Sequence, residues 1–286
     1  MKRTILWTAA IALLAGAPVH AQTCGQQGTY AGVDLLFLSP KVSGQSVREI
    51  FYGGDNIPPG ADFEGSLDAP LEFAQRTTIG YQGLGGAGTR FRWFSFDNEL
   101  DYDGSWENGG PEIEIQGTAD LDIDSYDFEV TQVGSFRMWN LTGAAGARYA
   151  QLSLIENEIN FEDVPAFISF GRSGVEFEGA GPTVFIEGCR PVLVDGMSLF
   201  ANCRTSILFG DSTEVFSVFD RDFVTIVDND FLQVWEIQMG GRYLCPVTDN
   251  VDMVSGIFWE AQRWDSESQF VDVALHGFGA QFGFLF

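Results

Sequence analysis

The end of the chain alternates between aromatic residues and small or polar ones. Residues 278–286 form a period-two ribbon with two different faces. One face carries Phe278, Ala280, Phe282, Phe284 and Phe286, and the other carries Gly279, Gln281 and Gly283. Such a ribbon is typical of a strand with one side against lipid and the other against a filled or wet lumen. A core strand of a soluble sandwich is the alternative for this segment taken alone.

The same alternation predicts ten strands along the chain. They cover about residues 30–39, 71–82, 89–100, 121–133, 139–154, 175–189, 197–209, 231–245, 251–264 and 269–286. Each is close to or above the roughly 9 to 11 residues that a tilted strand needs to cross a membrane. Residues 47–52 could form one more short strand.

The connections between these strands sort by length. Four are short, at 83–87, 134–138, 190–196 and 246–250. The connections that alternate with these short ones are long and acidic, at 40–70, 101–120, 155–174 and 210–230. The last connection, at 265–268, breaks the alternation because it is also short. Alternating turns and loops are the layout of outer-membrane barrels. We therefore predict an all-β fold, a single transmembrane antiparallel β-barrel of about ten strands (roughly 8 to 12), with short periplasmic turns and long acidic outer loops.

The first 21 residues have the pattern of a secretory signal peptide. Lys2 and Arg3 precede an apolar run at 5–15, and residues 19–21 form a small-x-small cleavage site. The run is shorter than the roughly 20 residues of a membrane-spanning helix. We expect residues 1–21 to be cleaved, residues 22–286 to form the barrel, and the protein to reach the cell outer membrane.

Charge and cysteine content exclude other classes. The formal net charge is −25, which is incompatible with binding nucleic acid by neutralising phosphates. Four cysteines occur without a CxxC pair and His276 is the one histidine after the signal peptide, so a zinc site is not expected. Export permits disulfides, and their pairing stays open. We predict no cofactor and no metal.

Alternation places charged residues in the lumen. The predicted inward set is Arg76, Arg90, Arg92, Arg148, Arg204, Arg242, Glu72, Asp127, Glu129, Glu187, Glu236 and Glu260. Two interpretations follow: a charged constriction that selects permeants, or a salt-bridged plug that rigidifies a narrow barrel. Two pairs of residues break the alternation. Phe94 and Phe96 fall on the same side of their strand as the arginines. Glu176 and Glu178 fall on the apolar side of their strand, so we expect these glutamates to lie above the bilayer.

The second half of the chain resembles the pore-forming outer-membrane protein family typified by the Legionella major outer-membrane protein. The residues that carry the resemblance are WNL at 139–141, ARY at 147–149, GPT at 181–183, EG at 187–188, RP at 190–191, LFAN at 199–202, LFG at 208–210 and WEIQ at 235–238, with Gly241 and the Phe-ended last strand. The resemblance implies a pore-forming outer-membrane barrel. This chain is short for that family.

These patterns predict a narrow, porin-like pore for small solutes or ions. The alternatives are a plugged structural or adhesive barrel and, with less support, a barrel hydrolase that uses His276 with Asp272. We expect no enzyme activity, because alternation turns His276 outward. The expected partners are outer-membrane lipids, the barrel assembly machinery, and small solutes or divalent cations. The oligomeric state is open.

Phe286 is the predicted assembly signal, because it ends an amphipathic last strand on an aromatic residue. Phe286→Asp should lower the amount of barrel in the outer membrane while synthesis and export continue. Membrane fractionation measures this, with Phe286→Tyr as the aromatic control. Equal outer-membrane levels of Phe286→Asp and the wild type would contradict the prediction.

Overall fold

A computed structural model describes residues 27–42, 62–107, 113–161, 170–192, 194–218, 221–266 and 272–286. These residues form strands and turns. The strands are β1 Gly28–Val42, β2 Asp62–Asp68, β3 Glu72–Gln82, β4 Ala87–Glu107, β5 Ile113–Phe136, β6 Trp139–Phe161, β7 Phe170–Pro191, β8 Met197–Val218, β9 Arg221–Thr248, β10 Val251–Ser266 and β11 Asp272–Leu285. Within the described residues, no helix is long and apolar enough to cross a membrane. Residues 1–21 and 47–52 lie outside these ranges.

The strands close into one antiparallel barrel. Consecutive strands pair with each other, except β2 with β3, and β1 pairs with β11 from Tyr30 opposite Leu285 to Val42 opposite Val273. Both β2 and β3 pair with β1 on one side and β4 on the other. The two strands therefore occupy the same position in the barrel wall, and the strand at that position is interrupted at residues 69–71. The barrel has ten strands around its circumference, which confirms the predicted fold class.

Proline explains the interruption between β2 and β3. Pro70 has no N–H to donate to a ladder, and the flanking chain is held by other bonds. The Ser39 hydroxyl donates to the Ala69 carbonyl at 2.8 Å, and the Ala69 N–H donates to the Pro40 carbonyl at 3.4 Å. The wall stays closed without a regular ladder at this point.

The two ends of the barrel differ. The end that holds the tight turns at 83–86, 137–138, 194–196 and 249–250 also holds the start of β1 and the end of β11; we call it the turn end. Gly86 has φ +77°, and a Cβ there would lie 2.5 Å from the Val133 carbonyl oxygen, so this turn requires glycine. The opposite end, where β4, β6, β8 and β10 end, is the loop end.

Three of the predicted long connections, at 101–120, 155–174 and 210–230, consist largely of β ladder. For example, β8 runs to Val218 and β9 resumes at Arg221, inside the predicted loop 210–230. β9 alone has 28 residues, which at a rise of about 3.3 Å per residue is about 90 Å along the strand. The apolar band of a transmembrane barrel is only about 25 Å tall. The barrel wall therefore extends well past the membrane at the loop end.

The outer wall near the turn end is an apolar belt. Its exposed side chains include Ile79, Phe91, Phe128, Val130, Ile186, Phe209, Ile237, Met239, Ile257, Phe278 and Phe282. A cross-strand row of aromatics borders the belt: Trp93 stacks on Tyr126 with centroids 6.5 Å apart, and Tyr126 contacts Tyr149 at 6.2 Å. Beyond this row, the outward positions of β5 are Asp124, Asp122 and Asp120. Such aromatic rows mark a membrane–water boundary.

The lumen reverses this pattern. Toward the loop end, the inward side chains are apolar and fully buried, among them Leu36, Leu38, Phe96, Leu100, Leu121, Leu152, Leu154, Phe177, Leu208, Leu232, Trp264 and Leu275. We call this set the apolar core. Its packing is tight: a Cβ on Gly279 would lie 2.4 Å from Cζ of Phe258. Phe94 and Phe96 point to the same side of β4 as the arginines because β4 passes from the charged part of the lumen into the apolar core.

A long strand such as β5 therefore crosses two environments. In the belt it is apolar outside and charged inside, as in a membrane barrel. Past the aromatic row it is acidic outside and apolar inside, as in a water-soluble barrel. Glu176 and Glu178 lie on the outer wall in this second zone, and the Tyr149 hydroxyl donates to Glu178 Oε1 at 2.7 Å. This agrees with their predicted place above the bilayer.

Leu152→Ala tests whether the apolar core is packed. Leu152 is 1% exposed, so its truncation should lower the free energy of unfolding by about 2–5 kcal/mol. Chemical denaturation in detergent micelles measures the change. The control Leu84→Ala alters a turn residue that is 88% exposed and should change stability by less than about 0.5 kcal/mol. Equal effects of the two substitutions would show that the lumen at Leu152 is open to water.

Candidate functional site

A layer of paired charges lies between the apolar core and the turn end. It contains six arginines and six carboxylates joined by ion pairs. They are Arg76, Arg90, Arg92, Arg148, Arg204, Arg242, Asp34, Asp127, Glu129, Glu187, Glu236 and Glu260. We call this set the charged layer. Its formal charges sum to zero.

Glu236, on β9, is shared by four arginines. Its carboxylate lies 3.0 Å from Nη2 of Arg92 and also pairs with Arg148. Nη2 of Arg76 and Nε of Arg204 each lie 3.8 Å away. The residue is only 4% exposed. Because a charge at such a site needs close partners, Glu236 is the centre of the layer.

Asp127 and Glu129, on β5, pair with arginines of β4, β6 and β8. Nε of Arg148 donates to Asp127 Oδ1 at 2.6 Å, and Nη1 of Arg204 donates to Asp127 Oδ2 at 3.0 Å. Arg204 also pairs with Glu129, which accepts from Nε of Arg90 at 2.7 Å. The two carboxylates of β5 therefore each pair with arginines from more than one other strand.

Glu260, on β10, links the charged layer to the apolar core. It accepts from Nη1 of Arg76 at 2.9 Å and from the side-chain amides of Gln238 and Gln262 at 2.6 Å each. The Gln262 oxygen accepts from Nε1 of Trp264 at 3.0 Å. This chain of hydrogen bonds satisfies the buried carboxylate and the buried indole together.

Arg242 and Glu187 form the pair closest to the turn end. Arg242 donates from both terminal nitrogens to the two Glu187 oxygens at 2.7 Å each, and its Nε donates to Gln281 at 2.9 Å. The Arg242 side chain is 19% exposed, whereas that of Arg148 is 0% exposed. The charged layer therefore becomes accessible toward the turn end.

Aromatic rings support the guanidinium groups. Cζ of Arg242 lies 3.8 Å from the centroid of Phe200, and Cζ of Arg90 lies 4.2 Å from that of Phe185. Arg204 contacts the same Phe185 ring at 5.0 Å. These contacts fix guanidinium planes by cation–π attraction without adding charge.

Most of the residues predicted to face the lumen lie in this layer. Eleven of the twelve predicted inward residues have the expected inward position and an ion-pair partner. Glu72 lies opposite Leu38 and shares the inward parity, but it takes part in none of the ion pairs among the described residues. Asp34 was not predicted, although it alternates inward between Gly32 and Leu36 and pairs with Arg76 at 3.4 Å.

His276 and the described cysteines take part in none of the ion pairs of the charged layer. His276 is exposed on the outer wall, and Asp272 pairs with Arg263 at 3.6 Å. Cys189 is disulfide-bonded, while Cys203 and Cys245 are free thiols. No group of three or more histidine, cysteine, aspartate or glutamate residues in the described ranges is arranged to hold a metal ion.

An acidic pair lies on the outer wall beyond the aromatic row. Asp122 is directly opposite Asp97 in the β4–β5 ladder. Loss of solvation at its carboxyl, together with the negative charge of Asp97 and a hydrogen bond to it, raises the pKa of Asp122 to about 7. At neutral pH the pair therefore shares a proton for part of the time, which relieves the like-charge repulsion.

Comparisons with known proteins support the fold. The solved structures similar to this chain include the outer membrane protease OmpT from Escherichia coli, with 10% identity, a TM-score of 0.55, and coverage of 90% of this chain and 95% of that one. The translocator domain of autotransporter NalP from Neisseria meningitidis has 10% identity and a TM-score of 0.44, with 91% and 88% coverage. The outer membrane protein OprG from Pseudomonas aeruginosa has 10% identity and a TM-score of 0.39, with 91% and 98% coverage.

No family model and no curated protein matches the chain. At 10% identity, the likeness to OmpT shows a shared fold: that of outer-membrane β-barrels. It assigns no activity. The resemblance to the Legionella-type family stays a prediction.

Glu236→Gln tests the charged layer. The substitution keeps the shape of the side chain but leaves four arginines short of one negative charge, so we expect a loss of about 3–5 kcal/mol in unfolding free energy. Denaturation in micelles measures it. The control Asp265→Asn affects an exposed pair with Arg263 at 3.3 Å and should cost at most about 1 kcal/mol. A Glu236→Gln barrel as stable as the control would contradict the role of Glu236 as the centre of the layer.

Proposed function

We propose that the protein is an outer-membrane barrel with a closed lumen, which anchors its long loop-end hairpins at the cell surface. The turn end then faces the periplasm and the apolar belt contacts lipid. The observation that carries this proposal is the presence of two barriers in series. A solute entering from the turn end meets the charged layer first and the apolar core behind it.

The charged layer opposes permeation by its pairing. Residues that line a water-filled constriction are solvated, whereas Arg148, Arg204, Glu129 and Glu260 have side chains at most 1% exposed. An ion could pass only by separating buried pairs, and this leaves uncompensated charge. Because six positive and six negative charges cancel, the layer also lacks the single-sign ring that selects ions in channels.

The apolar core opposes permeation by its packing. Among its members, Leu36, Leu38, Leu100 and Trp264 have no exposed surface. A hydrophobic constriction of this kind excludes water and therefore hydrated ions. Barrels of about eight strands are filled by their side chains, and wide aqueous channels occur at about 16. Ten strands lie near the filled end of this series.

The loop-end hairpins favour a role at the surface. The paired strands β8 and β9 continue past the membrane belt to Val218 and Arg221. Val224 and Ile226 are 57% and 61% exposed on this extension. Exposed apolar residues on a rigid ladder are suited to contacts with other macromolecules, so the barrel would act as their anchor.

The narrow pore predicted from the sequence is the competing function. It would require the buried ion pairs of the charged layer and the buried side chains of the apolar core to rearrange together.

Planar-bilayer recording tests the closed lumen. Refolded mature protein should give no unitary conductance steps, because neither barrier admits hydrated ions. Folding and insertion are checked separately by the electrophoretic shift between heated and unheated samples and by protection from protease in the same membranes. Reproducible steps from inserted, folded protein would refute the closed lumen and support the pore.

A further inference from the structure

A cavity lined by both charged and apolar side chains opens between the charged layer and the turn end. Its volume is about 240 Å³. Drug-sized ligands occupy roughly 300–1,000 Å³, so this cavity is suited to a smaller molecule. Its walls come from positions close to the turns and the chain end, including Gln82, Thr142 and Leu285. We call it the turn-end cup.

The lining of the cup contains more arginines than carboxylates, although the chain as a whole is acidic. Four arginines line it, namely Arg76, Arg90, Arg92 and Arg242, against two carboxylates, Asp34 and Glu187. The chain as a whole has a formal net charge of −25. Each of the four arginines also pairs with a carboxylate of the charged layer. A concave site with an excess of guanidinium groups attracts anions.

Two of the four guanidinium groups retain unused donors. Nε of Arg76 and Nε of Arg92 are buried without a hydrogen-bond partner among the described residues. Both side chains are at least nine-tenths buried, at 2% and 9% exposure. Buried donors normally have partners, so the hydrogen-bonding capacity of these two cup-lining arginines is not fully used, although Nε of Arg92 lies 3.7 Å from Asp127 Oδ2.

Neutral groups complete a site suited to oxygen acceptors. Tyr30, Thr131, Gln82 and Gln281 line the cup beside the arginines. The position of Tyr30 depends on Gly80, opposite it in the ladder, because a Cβ on Gly80 would lie 2.3 Å from Cζ of the Tyr30 ring. Guanidinium forks and hydroxyl or amide donors are the groups that bind carboxylate and phosphate oxygens.

We propose that the turn-end cup binds a small oxyanion, a carboxylate or phosphate group of a free solute, from the turn-end side. Arg242 and Arg90 are the first contacts, since they are the most accessible arginines of the cup at 19% and 12% exposure. This site does not depend on whether the lumen conducts, because it lies on the turn-end side of both barriers.

Calorimetric titration of refolded mature protein in micelles tests the proposal. The probes are inorganic phosphate and succinate at pH 7.5, with ionic strength held constant. The wild type should bind at least one of them saturably at one site. Arg242→Gln should weaken binding at least tenfold, while Arg263→Gln, an exposed outer-wall arginine, should leave it unchanged.

Glu187→Gln separates binding from stability. Removing this carboxylate frees the guanidinium group of Arg242, so anion binding should become at least threefold tighter. A misfolded variant would bind the anion more weakly, so tighter binding cannot result from misfolding. Absence of saturable binding of both probes to folded wild type would overturn the proposal. So would equal affinity of the wild type, Arg242→Gln and Glu187→Gln, because the anion would then lie elsewhere.

Discussion

The structure depends on mutual neutralisation of twelve charged side chains inside a narrow barrel. A lone guanidinium or carboxylate in a site that excludes water is very costly, and each such charge must therefore have an opposite one within contact distance. The ladder register makes this possible. Asp127 is directly opposite Arg148, and Arg204 is directly opposite Glu236. A slip of one residue would turn these side chains to lipid.

The interior of the barrel is charged at the level of the membrane belt and apolar in the protruding wall, because the surroundings of the wall differ at the two levels. Inside the membrane belt, outward positions must be apolar, so the inward positions hold the polar residues. Past the aromatic row the outside is water, and apolar side chains can be buried only inside. The apolar core around Leu152 and Trp264 is thus the hydrophobic core of the protruding wall. It also covers the charged layer from the loop end, through the hydrogen bonds of Trp264, Gln262 and Glu260.

The sequence predicted the wall better than the lumen. Strict alternation, as in Phe278 to Phe286, and the sorting of connection lengths identify strands and their faces, because side-chain direction has a period of two. Pairing partners across the lumen, such as Arg92 with Glu236, depend on the curvature of the barrel and on strand order, which alternation does not encode. Asp34 was missed because one carboxylate between apolar neighbours gives little signal.

The reversal of polarity was visible in the sequence but was not interpreted as a second zone. Phe94 and Phe96 on the arginine parity, and Glu176 and Glu178 on the apolar parity, are its marks. A single inside–outside assignment for a whole strand cannot accommodate both pairs. The extent of the ladder past the membrane, as in the 28 residues of β9, was likewise missed, because acidic segments resemble loops when hydropathy alone is considered.

Hydrogen exchange at arginine Nε–H groups, followed by NMR in micelles, tests most directly whether the charged layer is paired and dry. Arg148 and Arg204 have side chains at most 1% exposed, whereas Arg263 is 57% exposed. The two lumen arginines should exchange at least a hundredfold more slowly than Arg263. Exchange of all three at similar rates would show that water reaches the layer, and the account of a closed lumen held by buried ion pairs would be wrong.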